Sequence, residues 1–199
     1  MARMFSPNPD FGDGRRGEER VAAYTLFTHR HRFAAWAAAR AAQRGFTSVE
    51  KLMEALEGCG VVEFASRVGK RRVSEAEYDA EHARWCERIM AHLKRRRVKN
   101  VTFGRAAKLV AVYLKTMIVI GPDGSSPIAG VLHPPIDRIL LRSLARDPEV
   151  PRPIRREWAR LNWTTLDKRG YSRLIRQLRD CLGKGKPLWH LERHWIPSG

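Results

Sequence analysis

Apolar residues recur at helical spacing through most of the chain, and no stretch keeps the two-residue alternation of a half-buried strand. The pattern predicts a first helix within 18–45, with Phe33, Ala34, Trp36, Ala37 and Ala41 on its apolar side and Gly45 closing it. A second follows from Thr47 or Ser48 to Glu57, carried by Val49, Leu52, Met53 and Leu56. Residues 61–68 fit a short helix or an extended piece. Ser74-Glu-Ala-Glu77 has the form of a capping box and opens a long helix to about Arg97, with Tyr78, His82, Trp85, Ile89 and Leu93 as its stripe. Phe103 or Gly104 starts an almost wholly apolar helix to Met117, and a Gly/Pro/Ser loop over 119–130 follows. Pro134-Pro135 forces an extended approach to a helix over 138–146. Breaks at Pro148, Pro151 and Pro153 precede a helix over 154–162. The last long helix spans 167–182, with Tyr171, Leu174, Ile175 and Leu178 inward, and a short aromatic segment covers 189–195.

Seven or so helices and no sheet make an all-α protein. The expected organisation is an irregular, Pro- and Gly-rich arm over 1–17, then one helical domain over 18–199 that could form two lobes with a cleft between them.

Charge narrows the partners. Lys and Arg number 38 against 21 Asp and Glu, a net charge of +17 and a pI near 10.8. Such an excess on a domain that is 43% hydrophobic favours a polyanion, above all nucleic acid. Composition biased by a GC-rich genome is the bland explanation. The positive charge is densest in Lys94-Arg95-Arg96-Arg97 with Lys99, and Arg105 follows. Three dispersed cysteines with no Cys-x-x-Cys, and no apolar run near the ~20 residues of a membrane span, suit a soluble cytoplasmic, nucleoid-associated protein. His82 and Cys86 stand one helical turn apart, and His29 and His31 flank one residue. Neither pair has further ligands at metal-site spacing, so packing and solvent exposure are expected, with no metal and no cofactor.

Two residues stand out from apolar surroundings. Lys108 lies early in the helix of Ala106, Leu109, Val110, Val112, Tyr113 and Leu114, and Asp137 lies at the start of the helix after Pro134-Pro135. Each has a structural explanation of its own, a lysine that extends its head to water and an acid that favours a helix N-terminus. Brought together, they would form an amine–carboxylate pair, and a lysine in partly apolar surroundings is a usable nucleophile.

Gly104-x-x-x-Lys108 ahead of an apolar helix, followed by Pro135-x-Asp137-x-x-x-x-Arg142-x-Leu144, resembles the core of the helix-hairpin-helix DNA glycosylase superfamily. The chain departs from that pattern in having one glycine before the lysine, in the 29 residues from Lys108 to Asp137, and in lacking cluster-binding cysteines. This is closest in kind to cluster-free branches such as the archaeal 8-oxoguanine glycosylases. The resemblance implies a two-lobed helical fold and base excision with AP lyase activity on double-stranded DNA that carries a damaged or modified base. It also implies that the protein acts as a monomer, with Lys108 as Schiff-base nucleophile and Asp137 as assisting carboxylate. Gln43 takes the place of a duplex-probing glutamine. Arg95, Arg96, Arg97, Lys99, Gly104 and Arg105 would hold DNA, and Trp36, Trp85, Trp189 and Trp195 are the aromatics available to stack on an extruded base. A helical nucleic-acid-binding module without chemistry and a basic regulatory protein with an acidic partner are the alternatives.

Overall fold

A computed structural model describes residues 24–43, 45–67, 72–183 and 185–196, and the expected arm over 1–17 lies outside them. Among the described residues there is no strand. The helices are α1 (Leu26–Gln43), α2 (Val49–Glu57), α3 (Val61–Ser66), α4 (Glu75–Arg95), α5 (Phe103–Leu114), α6 (Pro127–Val131), α7 (Arg138–Leu144), α8 (Arg152–Arg160) and α9 (Lys168–Leu182). A π-helical turn, Lys115–Val119, continues α5. Two 3₁₀ segments, Trp163–Thr165 and Leu188–His194, follow α8 and α9. No described helix is long and apolar enough to cross a membrane. One reading of the sequence needs correction, and an alternative left open is decided. The region 119–130 is not all loop, because Ser126 caps the short α6 behind Pro127. Residues 61–66 are helical, with Gly60 in the left-handed conformation at the start.

The core is built around α5, of whose residues only Arg105 and Val112 are not buried. Helix α1 packs along it through Ala34, Ala35, Ala38, Ala39 and Ala42, all fully buried. The expected apolar side of α1 is therefore rotated. Phe33 and Trp36 are 59% and 50% exposed, because a face of alanines lets two helix backbones approach closely and leaves no room for rings. Helix α4 packs on α5 from another side with its Tyr78, His82, Trp85, Ile89 and Leu93 stripe, and the Ser74–Glu77 capping box at its start is formed.

Gly104 marks a close approach. A Cβ at this position would lie 2.0 Å from the Trp163 carbonyl oxygen, and the Gly104 N–H donates to the Leu166 carbonyl at 3.0 Å. Thr102 Oγ1, the N-cap of α5, donates to the Thr164 carbonyl at 2.7 Å. The 3₁₀ segment Trp163–Thr165 is thus held against the first turn of α5. Gly104→Ala is expected to destabilise the protein toward the upper end of the roughly 1–3 kcal/mol that overpacking costs. Urea unfolding of the two forms measures it, and equal midpoints would count against this packing.

A buried polar cluster joins α4, α9 and the extended run 132–137. His133 Nε2 donates to Asp79 Oδ1 at 2.8 Å, and the Tyr171 hydroxyl lies 3.3 Å from His133 Nδ1. Arg179 grips both Asp79 oxygens at 2.7 Å. His82 stacks on Tyr171, with ring centroids 5.3 Å apart and planes at 8°. Burial pushes the pKa of both His82 and His133 down, with the Asp79 carboxylate opposing it. Burial raises the Asp79 carboxyl, but Arg179 and His133 outweigh it and hold the group far below the usual carboxylate range. The signs then follow. A histidine with a depressed folded-state pKa takes up a proton more readily when unfolded, so its stabilisation is complete above about pH 6.5 and falls away below. Asp79 does not contribute to this window, since it stays ionised in the fold and in the unfolded chain down to ordinary carboxylate pKa values. Stability should drop between pH 7 and pH 5, by at most about 1.4 kcal/mol per pH unit for each histidine. His82→Phe, which keeps the stacking ring, should flatten the slope, and denaturation midpoints as steep in the variant as in the parent would contradict the assignment.

Candidate active site

The two residues singled out from the sequence meet. Lys108 stands in the second turn of α5, and its Nζ donates to Asp137 Oδ2 at 3.0 Å. Both side chains are only 6% exposed. Asp137 reaches this position because the run 132–137, stiffened by Pro134 and Pro135, stays extended and delivers it as the N-cap of α7. Its Oδ1 accepts the Leu140 N–H at 2.9 Å. Its Oδ2 accepts, besides Lys108, the Trp195 indole N–H at 3.0 Å. The Trp163 ring lies 4.9 Å from Lys108 Nζ and offers its negative face to the ammonium.

Burial raises the Asp137 carboxyl. The Lys108 ammonium, the Leu140 N–H and the Trp195 indole together overcome it, and the group sits below its ordinary value. Asp137 is therefore a carboxylate, better suited to stabilising positive charge than to accepting a proton. Beside it, Lys115 of the π-helical turn forms an ion pair with Glu192, and the Lys115 ammonium lies 5.9 Å from the Trp195 ring centroid. Burial raises the Glu192 carboxyl against the pull of Lys115. The Leu188–His194 segment and Trp195 are tied in this way to both α5 and Asp137.

The remaining expected site residues are dispersed. Trp195 joins the pair. Trp189 is half-buried and packs edge-on against His190 at 4.1 Å. Trp36 stands on the outward face of α1 beside Phe33, half exposed. Trp85 is core, 3% exposed, packed on Phe64 at 4.8 Å and near Tyr78. The role in a base pocket foreseen for Trp85 is therefore corrected, since its ring fills the core. Gly104 is also corrected as a phosphate contact, because its N–H is spent on Leu166 and the residue is buried. Arg105 is half-buried, with its guanidinium 4.2 Å from the Phe46 ring centroid. Gln43 is the last residue of α1, half-buried, with its carbonyl accepting the Phe46 N–H. Arg95 at the end of α4 and Arg96, Arg97 and Lys99 on the α4–α5 connection are exposed, with Arg96 paired to Glu54 at 3.2 Å. Arg97 and Asn100 there adopt positive φ of 57° and 56°, which folds the connection tightly. His31, expected in solvent, is half-buried, and its Nδ1 lies 3.0 Å from the Tyr113 hydroxyl.

Trp163 was missed by sequence reasoning. Asn162, whose side chain caps the Trp163–Thr165 turn, and the lone glycine at 104 were the signals present. Neither reveals that the two segments touch. Comparisons with protein-family models, with curated proteins and with solved structures find no match to this chain.

Proposed function

We propose that the protein is a DNA base-excision glycosylase with AP lyase activity, of the helix-hairpin-helix kind, acting as a monomer on double-stranded DNA with a damaged or modified base. The observation that carries this reading is the buried contact between Lys108 Nζ and Asp137 Oδ2, made by residues 29 apart on two elements that each position one group rigidly. In this reading α4 with Arg95 at its end, the connection with Arg97 and Lys99, and α5 form the helix-hairpin-helix unit of a two-lobed fold. The exposed cations take backbone phosphates, and binding weakens with salt.

The target nucleotide leaves the stack, because its glycosidic bond is out of reach inside the duplex. Lys108 gives its ammonium proton to solvent as the site opens, and attacks C1′ as the neutral amine. The C1′–N bond breaks, and the base departs with the bonding electrons and takes up a proton shed by the attacking amine. The C1′–O4′ bond then opens, its electrons pass to O4′, which takes the remaining amine proton, and a C1′=N Schiff base is left. The depressed pKa of Asp137 favours the second of two roles available to it, stabilising the developing positive charge on the sugar over deprotonating the amine. A sugar can approach Nζ only if a neighbour moves. Of the two indoles on the pair, Trp195 is 38% exposed whereas Trp163 is buried, so Trp195 leaves at lower cost.

Borohydride reduction of the protein mixed with duplexes bearing oxidised, deaminated, alkylated or hypermodified bases tests the reading. A covalent adduct that maps to Lys108 is expected with at least one of them. DNA binding with a steep salt dependence and no adduct on any substrate, abasic sites included, would replace the enzyme by a binding module whose pair only ties α5 to α7.

A further inference from the structure

Next to the pair, between α7, α8 and the Trp163–Thr165 turn, lies a cleft of about 200 Å³. Arg138, Arg142, Arg160, Asn162 and Trp163 are among the residues that line it, and none of its lining residues is acidic. All three arginines are exposed and make no ion pair or hydrogen bond with the described residues. Arg138 and Arg142 are one turn apart on one side of α7, a like-charge spacing that costs helix stability. Asn162 uses its Oδ1 to accept from Thr164, which leaves its amide N–H₂ as a further donor. Trp163 forms one wall of the cleft and also carries the Lys108 ammonium against its ring. Uncompensated donors around a concave site, with an aromatic wall shared with the amine, describe a receptor for an anion with several oxygen acceptors.

We propose that this cleft binds a backbone phosphate of the nucleic-acid strand next to the reacting nucleotide. This rests on the glycosylase reading, because the phosphate is placed by the strand whose sugar meets Lys108. The fork of each guanidinium matches two phosphate oxygens, and Arg138, directly after Asp137, fixes the distance between the phosphate and the carboxylate. The cleft supplies at the pair the grip that Gly104 does not supply, its N–H being committed to Leu166.

The test compares two double variants of the full chain with equal loss of charge. Arg142→Gln/Arg160→Gln removes two guanidinium charges from the cleft, and Arg146→Gln/Arg152→Gln removes two exposed arginines outside it. Binding of a lesion-free duplex is measured over a range of NaCl concentrations, with thermal melts to show that each variant is folded. The cleft variant should bind about ten-fold more weakly at low salt, and its slope of log K against log salt should shrink by about 0.9 for each phosphate it no longer neutralises. The outer variant should keep the parental slope. Equal losses in both variants would overturn the proposal in favour of diffuse charge. Inorganic phosphate that stabilises the parent but not the cleft variant, with equal DNA slopes throughout, would assign the cleft to a free anion and overturn the strand assignment. Borohydride trapping is read separately. If it fails in the parent protein, the glycosylase reading falls while the slope comparison still decides whether the cleft holds a phosphate.

Discussion

Lys108→Ala is expected to abolish the borohydride-trapped adduct and to lower strand cleavage at an abasic site by about 10³-fold or more, as loss of a covalent nucleophile does. Besides Lys108, the groups that donate to Asp137 are an indole and a backbone N–H, and neither is a nucleophile. Duplex affinity should stay near the parental value, because Lys108 is 6% exposed and pairs inside the protein. That separation matters. If trapping survives in Lys108→Ala, the nucleophile has been assigned to the wrong residue. If trapping and affinity are lost together, Lys108 acts through the fold. The variant also leaves Asp137 without its cation, so its thermal stability must be measured alongside. Lys108→Gln, which retains an N–H donor toward Asp137, separates removal of the nucleophile from removal of the hydrogen bond.

Asp137→Ala is expected to destabilise the protein by about 3–5 kcal/mol, the usual consequence of leaving one member of a buried ion pair alone. Three donors lose their acceptor at once: the Lys108 ammonium, the Trp195 indole N–H and the Leu140 N–H of the first turn of α7. The last of these is the N-cap hydrogen bond, whose removal by itself costs about 0.5–2 kcal/mol. Asp137→Asn, which keeps an acceptor for Leu140, should lose less. The pair variant Lys108→Met/Asp137→Leu should recover much of what Asp137→Ala loses, because no buried charge is then left over. Urea midpoints of the four proteins measure these losses and the recovery. A loss under about 1 kcal/mol in Asp137→Ala would mean that water reaches the pair freely, at odds with its burial.

Much of the helical framework was legible along the chain. The capping box at Ser74, the proline-stiffened approach to α7 and the stripe of α4 are local features, set by neighbours within a few residues. The face of α1 was not. Hydrophobicity favours burying Phe33 and Trp36, whereas the fold buries five alanines, because the gain comes from how closely α1 can approach α5. The candidate site divides in the same way. Lys108 and Asp137 were visible as polar residues in apolar company. The roles expected of Gly104, Trp36 and Trp85 depended on where distant segments lie, which residue type does not reveal.

The amino-acid sequence by itself determined an all-helical chain with strong positive charge and two ionisable residues placed at the starts of apolar helices, because periodicity, capping and charge are properties of short stretches. Only the tertiary structure decided that Lys108 and Asp137 touch, that Trp163 and Trp195 enclose them, and that three arginines face an acid-free cleft beside them. Each of these joins residues from separate elements, far apart along the chain, and such meetings follow from how helices pack into one core.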